Sequence, residues 1–385
     1  MRGHAEIGGA GIAGLSFAIM LAGRGWTVRL HERSPEIREI GAGIQLKNNA
    51  IEVLEEIGIF GRLAPLGIQL DRGRIRGPQG RIRQERVLAG KSRVHVFLRQ
   101  SVVEVLRDAA LEAGVEILTS SMAVTADPAG ELVLADGRRM RADLVIAADG
   151  VQSRLRASLH IGGSYRWLPT IVNRYLVPSR EVTPELVSTE HWSGRCRIGI
   201  MPSGQNASFL YHVSPECDRS AARLPIDMEY WSRAYPKLGR ELELLSQGKA
   251  IRHNFVIVRC PHWHKGRVAI IGDAAHGMPP TLGQGAGVTL MNAYALAIAL
   301  DRNRTVEEAL RAWESSVRFL SDRTQRWAMR YSFLAHHWPQ PLESIRDGIV
   351  WAFRLPALNR RMRIADQGLK FSGIQSLGPE VESRT

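Results

Sequence analysis

Three glycines near the amino terminus have the spacing of a phosphate-binding turn. Gly9, Gly11 and Gly14 follow the short apolar run HAEIGG and precede GIAGLSFAIMLAGRG, which has the pattern of a helix. In such a unit the first glycine makes the turn, the second lets the backbone approach a pyrophosphate, and the third lets the helix pack closely. Glu32 ends the next strand, roughly 20 residues on, where a carboxylate binds an adenosine ribose. The motif predicts a bound dinucleotide without distinguishing NAD from FAD.

Two later segments place an aspartate and a glycine at the end of an apolar strand. ADLVIAADGVQSRLR contains Asp149–Gly150, which by itself is typical of an ordinary turn. RVAIIGDAAHGMPPTLGQGAG contains Asp273 at the end of its strand, where open α/β sheets bind ligands, and glycines that begin an apolar helix. A helix start stabilises negative charge, which a reduced flavin develops at its pyrimidine edge. Asp273 would hold a ribityl chain, which a nicotinamide lacks, so the third segment favours FAD.

In this order, these segments resemble the flavoprotein aromatic hydroxylases of the p-hydroxybenzoate hydroxylase type. The resemblance includes GAGI at 41–44 and Arg99 in VHVFLRQSVVEVL, and it extends from residue 7 to about residue 300. It implies an α/β fold, with a Rossmann-like FAD-binding domain, an interleaved substrate domain built on a mixed β-sheet, and a helical C-terminal tail. It also implies a single-component monooxygenase with FAD as cofactor and NAD(P)H and O2 as co-substrates. The chain has one complete Rossmann fingerprint, which is in keeping with transient NAD(P)H binding.

The resemblance assigns residues of this chain to parts of the cofactor. The first glycine loop takes the pyrophosphate, Glu32 and Arg33 the adenosine end, and Asp273 the ribityl chain. Asp149–Gly150 would support both the pyrophosphate and NAD(P)H access, and the carbonyl of Pro280 would meet the substrate. The residues implied to bind FAD are Gly9, Gly11, Gly14, Glu32, Arg33, Gly41, Ala42, Gly43, Arg99, Val124, Asp149, Gly150, Asp273, Gly285, Ala286 and Gly287.

The predicted domains alternate along the chain. Residues 1–70, 99–165 and 261–305 are expected to form the FAD-binding domain, and residues 306–385 the C-terminal helices. Residues 71–98 and 166–260 are expected to supply the substrate domain, because alternating short strands replace helical patterns there.

The middle segment resembles, within the family, the oxygenases of 2-methyl-3-hydroxypyridine-5-carboxylate. RWLPTIVNRYLVP and RIGIMPSGQNASFLYH carry this likeness, which places Arg174 and Arg197 in the substrate pocket. Two guanidinium groups in a closed pocket would bind a carboxylate, although a strand arginine is more often a solvated face residue. Phe209 and Tyr211 share one strand face and either line the substrate or belong to the core.

The reaction implied by the resemblance is hydroxylation of an anionic, hydroxylated aromatic ring through a flavin C4a-hydroperoxide. The expected substrate is a small aromatic acid, a hydroxypyridine carboxylate ahead of a hydroxybenzoate. Tyr211, His212 or Tyr175 would relay the activating proton, and the sequence does not choose among them. Open alternatives are ring opening of a hydroxypyridine carboxylate, an isoprenoid reductase, and an FAD redox or binding protein. A flavin halogenase is disfavoured because the chain has no WxWxIP segment.

Composition bounds the remaining partners. The formal net charge is +13, with the arginines scattered and no nucleic-acid-binding motif, so we expect a field that steers anionic small molecules. No apolar run is long enough for a membrane span, and the strand at the very start leaves no room for a signal peptide, which favours a cytoplasmic location. Three dispersed cysteines and the loop pair His262 and His264 predict neither disulfides nor a metal site. A monomer and a homodimer both remain open.

Overall fold

The fold is built on a six-stranded sheet that collects strands from distant parts of the chain. The computed structural model describes residues 3–38, 43–353, 355–362 and 364–368. The strand order in the first sheet is β18, β19, β12, β1, β2 and β8, all parallel except β18. These strands are β1 (His4–Gly8), β2 (Thr27–His31), β8 (Glu116–Leu118), β12 (Leu144–Ala147), β18 (His264–Lys265) and β19 (Val268–Ile270).

Helices cover this sheet and bury its central strands β1, β12 and β19. Every residue of β12, the run LVIA, is buried, as expected for a central parallel strand. The helices of this domain include α1 (Ile12–Ala22), which contacts α4 and α10. The others are α2 (Asn48–Glu56), α3 (Phe60–Leu63), α4 (Arg99–Glu112), α5 (Arg154–Ser158), α9 (Asp273–His276) and α10 (Gly285–Arg302).

Two small antiparallel sheets complete this domain. One contains β9 (Ala123–Asp127), β10 (Glu131–Leu134) and β11 (Arg139–Arg141). The other contains β3 (Gly43–Lys47), β4 (Ile68–Gln69) and β7 (Val94–Leu98). Within the predicted substrate segment 71–98, the strand β7 therefore pairs with β3 and β4, and only β5 and β6 join the larger sheet.

A seven-stranded, largely antiparallel sheet forms the second domain, in the order β17, β13, β16, β15, β14, β5 and β6. One of its faces packs on α7 and α8 through Ile198, Leu210 and Trp231. The other face packs on β7 of the first domain through Met201 and Phe209. Its elements are β5 (Arg72–Arg76), β6 (Ile82–Val87), β13 (Ser164–Val177), β14 (Val187–Ser193), β15 (Cys196–Ser203), β16 (Ala207–Pro215), β17 (Ile251–Arg259), α6 (Arg219–Ala222), α7 (Met228–Ala234) and α8 (Gly239–Gln247).

The C-terminal part is helical and bridges both domains. Helix α11 (Val306–His336) begins with a capping box between Thr305 and Glu308, and it packs along α10. It is followed by α12 (Glu343–Ala352) and α13 (Pro356–Met362). Together the parts confirm the predicted fold class. Among the described residues, no helix is both long and apolar enough to cross a membrane.

Candidate active site

The three signature loops meet at one edge of the six-stranded sheet. Gly8 at the end of β1 is the register partner of Ala147 in β12, and Ala147 is the partner of Ile270 in β19. Because these strands are parallel neighbours, the loops that follow them leave the same carboxyl edge. The contact is direct: a Cβ added at Gly272 would lie 2.8 Å from the Cβ of Ala13. Loops some 260 residues apart in the chain therefore form one site.

The first loop has the geometry that the glycine pattern requires. Gly9 has a φ of +110°, and a Cβ there would lie 2.5 Å from the carbonyl oxygen of Ala148. A Cβ at Gly14 would lie 1.9 Å from the carbonyl oxygen of Gly9, so any side chain would separate the helix from the turn. Gly11 differs, because no atom of the described residues outside its own chain neighbours lies within 4 Å of a Cβ built there. The open space is at the N-terminus of α1, which fits a pyrophosphate.

Glu32 lies directly beside this loop. Its carboxylate accepts hydrogen bonds from the backbone N–H groups of Ala10 at 3.0 Å and Ser34 at 2.9 Å. Arg33 beside it is exposed, and Val124 on β9 is half-buried. The segment before β9 contacts the same turn, since the N–H of Ser121 donates to the carbonyl of Glu32 at 2.8 Å. These residues form the edge at which an adenosine would bind.

In the second loop, the side chain of Asp149 binds other groups of the same loop. Asp149 accepts hydrogen bonds from the Ser153 hydroxyl and from the N–H groups of Arg154 and Leu155, at the start of α5. Burial raises the pKa of Asp149, against the opposing effect of these bonds. Gly150 has a φ of +82°, in the left-handed region. Asp149 thus shapes the turn, and any contact with the pyrophosphate would come from the loop around it.

The third loop combines a left-handed turn with an open helix start. Gly272 and Gly283 have φ values of +63° and +58°, and the side chain of Asp273 is exposed at the end of β19. In the part of the chain that the structure describes, no atom beyond the helix's own backbone lies within 4 Å of a Cβ built at Gly285, whereas one at Gly287 would collide with the side chain of Asn49. A flat ring could therefore approach Gly285 and the half-buried Ala286 next to it.

Two polar side chains at this helix start were not among the predicted site residues. Gln284 and Asn49 are buried and joined by a hydrogen bond of 2.9 Å. The Oδ1 atom of Asn49 and the Nε2 atom of Gln284 have no hydrogen-bond partner among the described residues. Buried polar atoms normally find partners, so a group of the bound cofactor is the natural one. Gln284 lies within GQGAG and could have been found there, but nothing in the sequence points to Asn49.

Lys47 also belongs to this region. It is buried at the end of β3, and its ammonium donates to the carbonyl of Leu282 and lies 3.9 Å from the carboxylate of Asp366. Its partners come from two distant segments, which is why the sequence does not single it out. Lys47 ties the loop before Gly285 to the C-terminal turn at Ile364–Gln367.

The substrate domain approaches the cofactor domain through β3. A Cβ at Gly43 would lie 2.6 Å from Cδ1 of Phe209, so the aromatic ring takes the place of a side chain there. Pro280 is exposed at the start of a 3-10 turn, and Thr281 next to it donates to the carbonyl of Ala328 in α11 at 2.8 Å. Gly41 and Ala42 lie outside the described residues.

Arg174 and Tyr211 lie directly opposite each other in β13 and β16, on the face that contains Phe209. Both are half-buried among buried neighbours, and Tyr211 is the one residue of β16 that is not fully buried. Burial, together with Arg99 at the start of α4, lowers the pKa of Arg174 to about 10. Arg99, Arg174 and Tyr211 therefore gather at the boundary between the two domains.

Arg197 is more deeply buried than expected for a residue that contacts the substrate. It is 2% exposed, its guanidinium donates to Glu190 at 3.2 Å and to His336 of α11, and it stacks on Trp192 at 5.2 Å. These contacts use both terminal nitrogens, so the placement argues against Arg197 as a partner of a substrate carboxylate. The partners that sequester it, Glu190 and His336, are far apart in sequence and could not be anticipated.

His212 and Tyr175 lie on the opposite face of the sheet. The Tyr175 hydroxyl and His212 Nε2 are 3.0 Å apart, and the imidazole packs edge-on against Trp231 of α7. Burial lowers the pKa of His212 to about 3. Because the sheet separates them from the cofactor edge, this placement argues against the predicted proton relay through either residue. Of the three candidates, only Tyr211 faces the cofactor domain.

The fold and this site define a dinucleotide-binding α/β domain with a substrate-binding sheet. Comparison with known proteins agrees: the family model described as an FAD binding domain matches residues 4–315. The chain belongs to that family. It is an FAD-dependent monooxygenase of the aromatic hydroxylase type, and the family uses NAD(P)H as co-substrate. The expectations of FAD and of an oxygenase are confirmed.

Individual relatives extend over most of the chain. A 2-heptyl-3-hydroxy-4(1H)-quinolone synthase of Mycobacteroides abscessus is 36% identical over 341 residues, 85% of this chain and 89% of that protein. A 3-hydroxybenzoate 6-hydroxylase of Aquipseudomonas alcaligenes is 28% identical over 359 residues, 88% of this chain and 90% of that protein. Among solved structures, the tetrameric form of 2-methyl-3-hydroxypyridine-5-carboxylic acid oxygenase is 31% identical with a TM-score of 0.84, covering 94% of this chain and 97% of that one.

The residues present fit FAD. The described residues leave open space at Gly11 and Gly285, and they offer no partner to Asn49 Oδ1 or Gln284 Nε2. These features lie at the two loops that would hold the pyrophosphate and the ring of FAD. When bound, the flavin supplies the redox and oxygen-transfer chemistry. The protein contributes the anion-binding helix starts, the exposed carboxylate of Asp273 and a substrate-facing sheet.

Proposed function

We propose that this monooxygenase hydroxylates a nitrogen-containing aromatic ring of the 4(1H)-quinolone type at carbon 3, consuming NAD(P)H and O2. The observation that carries the proposal is the pairing of Arg197 with Glu190, which leaves Arg174 as the only one of the two predicted arginines that can meet a ligand. The predicted pair of guanidinium groups for a carboxylate is not assembled. A neutral ring with one oxo group needs only one of them.

The wall beside Arg174 suits an apolar substituent. Met201 and Phe209 pack with Leu70, Leu88 and Val96 on the side of the sheet that faces the cofactor domain. These side chains are buried against one another, and the half-buried Tyr211 lies at the edge of their cluster. A heptyl chain that packed at this edge would gain about 0.8 kcal/mol for each buried CH₂. The name of the Mycobacteroides relative, a synthase of a 3-hydroxyquinolone, supports the same substrate class for this chain.

A hydroxypyridine carboxylate is the second candidate. Arg174 is positively charged and has no carboxylate partner among the described residues, so it can receive one from a ligand. The likeness to 2-methyl-3-hydroxypyridine-5-carboxylic acid oxygenase supports this candidate. Because that oxygenase is named in a tetrameric form, self-association of this chain is a further proposal.

The test compares both substrates on the purified holoenzyme. We expect an oxidised-flavin spectrum, and NAD(P)H oxidation and O2 uptake that accelerate with 2-heptyl-4(1H)-quinolone, whose product gains one oxygen atom by mass spectrometry. Greater acceleration by 2-methyl-3-hydroxypyridine-5-carboxylate would establish the second candidate. An FAD-loaded protein whose O2 uptake no aromatic ligand stimulates would refute the oxygenase assignment for both substrates. Asp273→Asn should weaken FAD binding, measured from released flavin fluorescence.

A further inference from the structure

We propose that the Tyr211 hydroxyl acts toward the substrate only as a hydrogen-bond acceptor, fixed in that role by Glu190, and thereby selects rings that carry an N–H or O–H donor. The inference rests on the proposed function and deepens it. It adds Glu190, on β14, as a positioning residue that acts through Tyr211.

Glu190 is held as a carboxylate by donors on one of its oxygens. Trp192 Nε1 donates to Oε2 at 3.0 Å, and the Arg197 guanidinium donates to the same atom at 3.2 Å. The guanidinium is permanently charged, and a buried charge of this kind requires an ionised partner. The remaining oxygen, Oε1, therefore has lone pairs and no proton. It can only accept a hydrogen bond.

The Tyr211 hydroxyl is the donor to that oxygen. A phenol has one O–H proton, and a hydrogen bond to a carboxylate is among the strongest available to it. Burial and the negative charge of Glu190 raise the pKa of Tyr211 well above its usual range, so the hydroxyl keeps this proton. Only oxygen lone pairs are left for a ligand.

The ring lies in space that a side chain would otherwise fill. A Cβ at Gly199 would lie 2.0 Å from Cζ of Tyr211, so the ring occupies a position that only glycine permits. Gly199 pairs with Tyr211 on one side and with Glu190 on the other, which places the three residues in one row across the sheet. The row places the hydroxyl against its carboxylate partner, and Tyr211 as a residue is only half-buried.

Arg174 adds a positively charged hydrogen-bond donor beside the acceptor at Tyr211, in the same row. It is the register partner of Tyr211, and its described hydrogen bond is to Nδ1 of His253, at 3.2 Å. An acceptor at Tyr211 beside a cation at Arg174 complements a ring with a donor at one end and an oxo group at the other. The N–H and the carbonyl of a 4(1H)-quinolone lie para to each other, which matches this polarity.

Isosteric ligand pairs test the proposal by their dissociation constants. The probes are 2-heptyl-4(1H)-quinolone and 2-heptyl-4H-chromen-4-one, in which a ring oxygen replaces the N–H. A second pair is 2-methyl-3-hydroxypyridine-5-carboxylate and its 3-fluoro analogue. Binding is read from the absorption change of the oxidised holoenzyme without NAD(P)H, so no turnover is needed.

We expect the wild-type enzyme to bind the donor member of its preferred pair about tenfold more tightly, since one good hydrogen bond is exchanged for a repulsion between lone pairs. Tyr211→Phe should reduce the preference to about twofold or less on the same reasoning. Tyr230→Phe is the matched control, because its hydroxyl also donates to a carboxylate, Asp218 at 2.7 Å, but on the α7 side of the sheet. The control should keep the full preference.

The outcomes separate the inference from the proposed function. Tight binding of the hydroxypyridine alone, with a preference over its fluoro analogue, would overturn the quinolone substrate and support the role of Tyr211. Equal binding of both members of a pair by the wild-type enzyme would overturn the role of Tyr211, even if Tyr211→Phe did not fold. A preference that survives unchanged in Tyr211→Phe would overturn it as well. Binding of neither pair would overturn both proposals.

Discussion

Tyr211 and His212 are adjacent in β16, yet they face different halves of the molecule because successive side chains of a strand point to opposite faces. Tyr211 faces the cofactor domain and donates to Glu190, whereas His212 is buried against Trp231. Tyrosine and histidine can both transfer protons, and the sequence alone does not show which of the two faces the cofactor domain. The low pKa of His212 is a consequence of burial and makes it a neutral structural residue.

His212 should make the protein sensitive to acid. Its pKa is about 3 in the folded state and about 6.5 in an unfolded chain. Below pH 6.5 the unfolded state therefore binds an extra proton, so the free energy of unfolding falls with pH down to the folded pKa, by about 2 kcal/mol at about pH 5. In His212→Gln, the loss between about pH 7.5 and about pH 5 should be smaller by that amount, measured by urea unfolding. Equal losses in the two proteins would contradict a neutral His212.

Two glycines at the start of helix α1, Gly11 and Gly14, have different roles. Gly14 meets the protein itself, since its Cβ would contact the carbonyl of Gly9, while the Cβ of Gly11 would point into open space. The same residue type thus serves packing at one position and ligand approach at the other. A helix with a larger residue at Gly14 could not begin where the cofactor needs it.

Substitution should separate these duties. Gly14→Ala should lower the unfolding free energy of the FAD-free protein by about 2 kcal/mol, the cost of overpacking. Gly11→Ala should leave that stability unchanged and raise the dissociation constant of FAD at least about tenfold, because the methyl group occupies the ligand's space. Flavin fluorescence titration and thermal unfolding measure both quantities.

Gly61→Ala is the control for this pair. Gly61 lies on the exposed face of α3, and a Cβ built there would have no neighbour within 4 Å among the described residues outside its own helix. It should change neither stability nor FAD binding. A loss of stability in Gly11→Ala as large as that in Gly14→Ala would show that both glycines serve packing alone.

The C-terminal helices join the substrate sheet to the rest of the molecule through a buried charged cluster. Arg197 connects Glu190 of β14 to His336 of α11, and Arg346 of α12 stacks on Trp192 at 5.8 Å. From sequence alone, a helical tail of this kind could cap the FAD domain or mediate self-association. In the structure, the C-terminal helices also contact the seven-stranded sheet.

Substitution of Arg197 should therefore affect mainly stability, whereas substitution of Arg174 should affect mainly ligand binding. Arg197→Ala breaks a buried ion pair and should lower the unfolding free energy by about 3 kcal/mol. Arg174→Ala, with a half-buried side chain and no described carboxylate partner, should cost less than about 1 kcal/mol and weaken ligand binding about tenfold. Denaturant unfolding and flavin-absorption titration measure the two effects. A stable Arg197→Ala that loses affinity only for acidic ligands would restore Arg197 to the substrate pocket.

Local patterns in the amino-acid sequence were sufficient to predict the cofactor, the fold class and the oxygenase chemistry. Glycine spacing, strand ends and an aspartate are local patterns, and the parallel sheet brings their loops together wherever the intervening chain goes. For that reason Gly9, Gly14 and Asp273 can be located from the amino-acid sequence alone.

Which polar residues remain available to a ligand depends on how the elements pack. Arg174 and Arg197 look alike in the sequence, and their difference depends on Glu190 and His336, which reach Arg197 only after the sheet and α11 have packed. Asn49 and Lys47 likewise gain their positions from partners more than 200 residues away. Burial and pairing of charges are properties of the packed molecule, and no local pattern encodes them.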